Sequence, residues 1–180
     1  MSKTTALVVI DVQVGILESE RAYRVAEVLD RISQLLKRAR AGNTPVIYVQ
    51  HDGPKGHEVE VDSPGWQIHP AIAPAPEEPV VRKRASDGFF ATTLQSELES
   101  RGIQHLIITG AMTEYCVDTT CRRAISLGYD VTLVSDAHTT YDNDLLTAGE
   151  IIAHHNGLLD GFDAGEHSIA VKTAESVVLT

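Results

Sequence analysis

Cys116, Asp11 and Lys83 are the residues whose types could together run hydrolytic chemistry. A thiol attacks a carbonyl, a carboxylate takes the thiol proton and later delivers it to a leaving group, and an ammonium favours the thiolate. Cys116 falls near the start of an expected helix, where unpaired backbone N–H groups and the helix dipole favour an anion. The thiol pKa is therefore expected to be lowered, and the same N–H groups could receive an oxyanion. Each residue also has a plain structural reading. Cysteine is among the most buried residue types, aspartate commonly caps the turn after a strand, and Lys83 sits in the basic run Arg82-Lys83-Arg84, where a solvated charge is the usual outcome. Spacing alone leaves both readings open.

What would bring three distant residues together is an alternation of strands and helices. Short apolar runs at Ala6–Ile10, Val46–Val49, Val80–Val81, Leu106–Thr109 and Val131–Val134, with a sixth around Ile169–Val171, suit a parallel sheet buried on both faces. Between the first two, Val25, Val28, Leu29, Ile32, Leu35, Leu36 and Ala39 recur at helical spacing until Gly42 and Pro45. Thr92 and Gln95 read as a capping box for a helix closed by Gly102. Further helices are expected from about Glu114 to Leu127 and from Asp144 to His155. The pattern predicts an α/β fold, an open and mostly parallel sheet of about six strands with helices on both faces. In such sheets ligands bind beyond the carboxyl ends of the strands, where Asp11, Lys83 and Cys116 all fall.

At 180 residues, with 43% hydrophobic and 22% charged residues, the chain reads as one globular domain over 1–180. A net charge of -10 argues against a nucleic-acid partner. The apolar run at Ala6–Ile10 is too short for a membrane span or signal core, so a cytoplasmic protein is expected. Two cysteines five residues apart in one helix do not suit a disulfide, and free thiols fit a reducing compartment. The segment from His51 to Pro79 holds six of the seven prolines and is long for a connection; it reads as a lid, a binding loop or a tolerated surface excursion.

Three ordered segments carry a resemblance: Leu7-Val8-Val9-Ile10-Asp11-Val12-Gln13, Lys83-Arg84-Ala85-Ser86-Asp87-Gly88-Phe89, and Gly110-Ala111-Met112-Thr113-Glu114-Tyr115-Cys116-Val117. They resemble the isochorismatase-like cysteine hydrolases, a superfamily that includes nicotinamidases and N-carbamoylsarcosine amidases. The resemblance implies a Rossmann-like three-layer α/β/α sandwich and an Asp-Lys-Cys triad at Asp11, Lys83 and Cys116. Arg84 rivals Lys83, but the family spacing to the phenylalanine, here Phe89, favours Lys83. It further implies a non-proline cis peptide at Ala111-Met112, an oxyanion hole from the N–H groups of Met112 and Cys116, and a homo-oligomer, dimer or tetramer.

Isochorismatases that cleave a vinyl ether lack the cysteine, so its presence implies cleavage of an amide or carbamoyl C–N bond of a small molecule through a thioester. An ether hydrolase and a catalytically idle scaffold are the alternatives. A nucleotide-binding protein of similar architecture is disfavoured, because neither G-x-G-x-x-G nor a P-loop is present. Gln13, His51, Trp66 and Phe89 are candidates to line the substrate pocket; a surface amide and plain aromatic packing are the competing readings. No cofactor is expected. Nicotinamidases resemble one another in an Asp and several His around a metal, whereas here His51, His57 and His69 with Asp52 are scattered through a proline-rich segment, and no metal is expected.

Overall fold

The computed structural model describes residues 4–18 and 21–179. Among them, seven strands form one sheet in the order β3-β2-β1-β4-β5-β7-β6. The central strand β1 (Thr5–Ile10) pairs in parallel with β2 (Val46–His51) and β4 (His105–Ala111). Outside β2 lies β3 (Val80–Lys83), and beyond β4 come β5 (Asp130–Thr139) and β7 (His167–Lys172), all parallel. The two-residue β6 (Asp163–Ala164) runs antiparallel to β7 and was not foreseen in the sequence.

All six residues of β1 are buried because both sheet faces are covered. Leu7 and Val9 face a core completed by Val28, Ile32, Leu35, Leu36 and Ala39 of α2 (Val25–Ala41). Ala6, Val8 and Ile10 face a second core, filled by Leu94 and Leu98 of α3 (Leu94–Ser100), by Cys121, Ala124 and Ile125 of α4 (Asp118–Ser126), and by Leu159 of α5 (Ala148–Leu159). Each large aliphatic side chain buried this way contributes about 1.5–3 kcal/mol. The result is the expected three-layer α/β/α sandwich. No helix among the described residues is long and apolar enough to cross a membrane.

Two helix starts differ from expectation. The Thr92 hydroxyl accepts from Leu94 N at 3.2 Å and donates to the Gly88 carbonyl at 2.7 Å, so it closes a turn and the expected capping box does not form. The capping box is instead at Thr147 and Glu150, which delays α5 to Ala148. β5 also runs past Val134 to Thr139, carrying His138 into the interior.

The His51–Pro79 segment is packed. Its backbone bonds to the chain just after β1, with His69 N–H donating to Val12 O and Val14 N–H to Gln67 O, both at 2.9 Å. The short helix α1 (Val14–Leu17) follows. There the Glu58 carbonyl nests between Gly15 and Gly65, where added Cβ atoms would stand 2.1 and 2.2 Å from its oxygen. Only residues without a side chain permit that approach.

Candidate active site

Asp11 follows β1 in the left-handed region (φ 49°), which aspartate tolerates better than most residues, and its N–H donates to Val49 O at 2.8 Å. That twist sets the carboxylate 99% buried beneath the sheet edge. Lys83 ends β3 on its inward pleat, its side chain fully buried. Cys116 lies on a wide, π-type turn (Thr113–Val117) that leads directly into α4 and begins after the cis peptide Ala111-Met112.

The three side chains meet at the Lys83 ammonium. Its Nζ is 2.6 Å from Asp11 Oδ2, the distance of an ion pair, and donates to Cys116 Sγ at 3.2 Å and to Ala85 O at 3.0 Å. His51 Nδ1 lies 3.2 Å from the same nitrogen. Four neighbours compete for three protons, so the ammonium is held from every side.

The electrostatics differ from the sequence expectation at the sulfur. Burial and the nearby Asp11 charge push the Cys116 thiol up to about 12, against the pull of Lys83. The expected lowering by the helix start is thus corrected: desolvation of the thiolate outweighs the dipole of a short, open turn. Burial also raises the Asp11 carboxyl, although Lys83 pulls it down. Lys83 itself is pulled down by burial, yet its ion pair with Asp11, with a further contribution from the Cys116 sulfur, outweighs this and its pKa rises. The resting site therefore holds a protonated thiol beside an ion pair whose carboxylate has unusual proton affinity. Asp11 Oδ1 has no hydrogen-bond donor among the described residues, leaving an acceptor position open.

The remaining candidates fall in different places. Gln13 is buried, with its amide spent on backbone: Nε2 donates to the carbonyls of His51 (3.0 Å) and Trp66 (2.8 Å), and Oε1 accepts from His51 N–H (2.9 Å). It braces the ends of β1 and β2 against the proline-rich segment. Burial and Lys83 lower the His51 pKa, so its ring is neutral; with Nδ1 facing the ammonium as acceptor, Nε2 carries the proton. Trp66 donates from Nε1 to Asp52 Oδ1 at 3.1 Å and lies under the Arg82 guanidinium, 4.4 Å from the ring centroid.

Phe89 is a correction. It stacks on Tyr129 in the core at 5.9 Å between centroids and lines neither the cavity at Lys83 nor the one at His51; the apolar pull of that core wins over the site. Its neighbour Phe90, 65% exposed, is the aromatic at the site's margin, and no spacing signal separates the two phenylalanines. His51, His57, His69 and Asp52 do not gather into a ligand set among the described residues. The His51 and His57 rings are 6.0 Å apart, His57 Nδ1 accepts from Val59 N–H, and His69 Nδ1 accepts from Ala71 N–H.

Sequence reasoning missed a buried polar chain under the Cys116 turn. Thr113 Oγ1 lies 2.8 Å from His138 Nδ1, His138 Nε2 lies 2.9 Å from Asn156 Oδ1, and Asn156 Nδ2 donates to Ser135 O at 3.1 Å. Because the amide must present Oδ1 to the ring, His138 carries its proton on Nε2 and accepts at Nδ1 from the Thr113 hydroxyl. Burial lowers its pKa to about 4, which keeps that arrangement neutral and fixed.

Among the described residues one cavity reaches Lys83, and a second lies beside His51 without touching Asp11, Lys83 or Cys116; Asp11 and Cys116 line neither. The first, of about 510 Å³, is lined by Lys83, Asp52, Arg82, Arg84, Phe90 and neighbours; the other, of about 380 Å³, is lined by His51, Asp52, Val61, Arg84 and neighbours. A third, of about 310 Å³, opens between α2, the end of β5 and α5 and touches none of the three residues.

The family described as the isochorismatase domain matches residues 5–151. A streptothricin hydrolase of Streptomyces noursei is 42% identical over 138 residues, 76% of this chain but 50% of that enzyme, so the match spans half of the relative's length. The ureidoacrylate amidohydrolase RutB of Caulobacter vibrioides is 29% identical over 174 residues, covering 75% of this chain and 76% of RutB. A crystal structure of an isochorismatase family protein superposes with a TM-score of 0.85 at 34% identity, covering 96% of this chain and all of the other.

Proposed function

The chain belongs to the isochorismatase family of hydrolases, and from that premise we propose that it cleaves the C–N bond of a small amide or carbamoyl compound through a thioester on Cys116. The observation that carries this reading is the contact of one buried ammonium with both the Asp11 carboxylate and the Cys116 sulfur. A relative that is an amidohydrolase supports the bond type.

In the first half-reaction the thiol proton passes to Asp11 as sulfur attacks the carbonyl carbon, forming a C–S bond and an oxyanion. The N–H groups of Met112 and Cys116 receive that oxyanion. The C–N bond then breaks, and Asp11 returns its proton to the departing nitrogen. In the second half a water gives a proton to Asp11 and attacks the thioester; C–S cleavage releases the acid, and the thiolate recovers the proton. Amide plus water becomes acid plus amine. The high proton affinity of Asp11 suits both transfers, and Lys83 stays charged to hold the anionic partners in place.

A panel of small amides and carbamoyl compounds, followed by mass detection of ammonia or amine, tests the proposal beside Cys116→Ala. We expect release by the native protein and a loss of about 10³-fold or more in the variant. Equal release by both would remove the covalent route.

A further inference from the structure

His138 is a buried titratable group that neither half-reaction uses, 1% exposed near the end of β5. The strand is irregular there. Ile108 of β4 pairs with Leu133, but Gly110 pairs with His138, so β5 carries extra residues between the two pairings. A bulge of this kind re-aims the side chains beside it. Here the imidazole meets Thr113, the buried first residue of the nucleophile turn. Ser135, one of the extra residues, accepts from Asn156 Nδ2 at 3.1 Å and so fixes which way that amide faces. Every proton in the chain then points the same way: from the Thr113 hydroxyl to His138 Nδ1, from His138 Nε2 to Asn156 Oδ1, and from the amide to a main-chain carbonyl that can only accept. Through this link β5 and α5 hold the turn that carries Cys116. Inside the turn the Met112 carbonyl accepts from the N–H groups of Tyr115 and Val117 at 3.1 and 3.2 Å, which ties the residue before Thr113 to those that follow it.

From this we propose that His138 is a positioning residue for the reaction: through the Thr113 hydroxyl it fixes the nucleophile turn, and with it the two N–H groups that receive the oxyanion. The proposal rests on the reading of Cys116 as nucleophile and of the Met112 and Cys116 N–H groups as the oxyanion donors. Donors held in place before the reaction need no reorganisation as charge develops, and a small displacement of them costs rate while the fold survives. A buried link in which each group has its partner supplies that rigidity. Because the His138 ring is neutral, removing it leaves the charges around the sulfur unchanged. Its loss therefore slows an attack that generates an oxyanion and spares a displacement that generates none.

Two reagents separate those cases without requiring the natural substrate. The ester p-nitrophenyl acetate acylates Cys116 through an oxyanion and releases p-nitrophenolate, whereas iodoacetamide alkylates the same sulfur by displacing iodide. Both need the thiolate, so the ratio of the two rates at Cys116, followed by peptide mass, cancels any change in thiol acidity. In His138→Gln the side-chain amide replaces Nε2 and offers nothing to Thr113; in His138→Asn it offers an acceptor where Nδ1 stood. The acylation-to-alkylation ratio is expected to fall about tenfold or more in His138→Gln and in the near-isosteric Thr113→Val. It is expected to stay within about threefold of the native value in His138→Asn and Thr113→Ser, which keep the link. The double variant of His138→Gln and Thr113→Val falls no further than either alone, because both cut one contact. An unchanged ratio in Thr113→Val, equal losses in His138→Asn and His138→Gln, or additive losses in the double variant overturns the positioning role. Labelling of the buried Cys121 reports unfolding; if His138→Gln unfolds, the comparison of Thr113→Val with Thr113→Ser decides alone. Native protein that is acylated no faster at Cys116 than at Cys121 removes the nucleophile reading itself and the proposal with it, so the two failures give different results.

Discussion

Asp11 acts on Cys116 in two opposed ways. As a nearby negative charge it makes the thiolate harder to form, and as a buried carboxylate of raised pKa it is the group best able to take the thiol proton once a carbonyl is in reach. These roles separate in Asp11→Asn. Removing the charge leaves Lys83 unopposed, so the thiol pKa falls and iodoacetamide labels Cys116 faster at pH 8 than in the native protein. Turnover nevertheless drops by about 10²–10⁴-fold, because no base remains. In the native protein, with the thiol at about 12, labelling climbs roughly tenfold per pH unit from 7 to 10. A flat profile, or slower labelling in the variant, would contradict the electrostatic account. The sequence pointed to Asp11, Lys83 and Cys116 and the structure brings them into contact, but the acidity of the sulfur was not readable, since it depends on how deeply three separate segments bury one another.

At the level of elements, the positions of the site residues depend on how closely β4 approaches β1. Gly110 pairs with Ile10 at φ 127°, and a Cβ there would stand 1.9 Å from the Ile10 carbonyl oxygen. Gly110→Ala forces the strand ends apart just below Asp11 and the Cys116 turn. We expect a loss of at least about 2 kcal/mol in urea unfolding together with a fall in turnover; a variant as stable as the native chain would show that the strands can yield. The parallel strands were legible because burial on both faces demands unbroken apolar runs, as in Leu106-Ile107-Ile108. Two-residue β6 has no such pattern, and Thr92 misled because its hydroxyl found a nearer partner at Gly88. The bracing role of Gln13, which the sequence offered as a pocket residue, and the buried chain through His138 were not readable for a related reason. Their partners, the backbone of His51 and Trp66 and the side chains of Thr113 and Asn156, come from elsewhere in the chain.

Across the whole molecule, the two cores share the central strands, whereas the groups gathered at the site come from both the middle of the sheet and its border. Asp11 and Cys116 issue from β1 and β4, flanked on both sides. Lys83 comes from β3, one of the two edge strands, four residues long and bonded among the described residues to β2 alone. A border strand of that length can peel away at a free-energy cost below that of global unfolding. Catalysis should then vanish at urea concentrations where far-UV circular dichroism still reports an intact sheet, and amide hydrogen exchange should be faster in residues 80–83 than in β1. Coincident loss of activity and ellipticity would show the border to be as firmly held as the centre. The working lifetime of such a hydrolase is set at its hem: what wears out first is the thread that carries the positive charge, while the cloth is still whole.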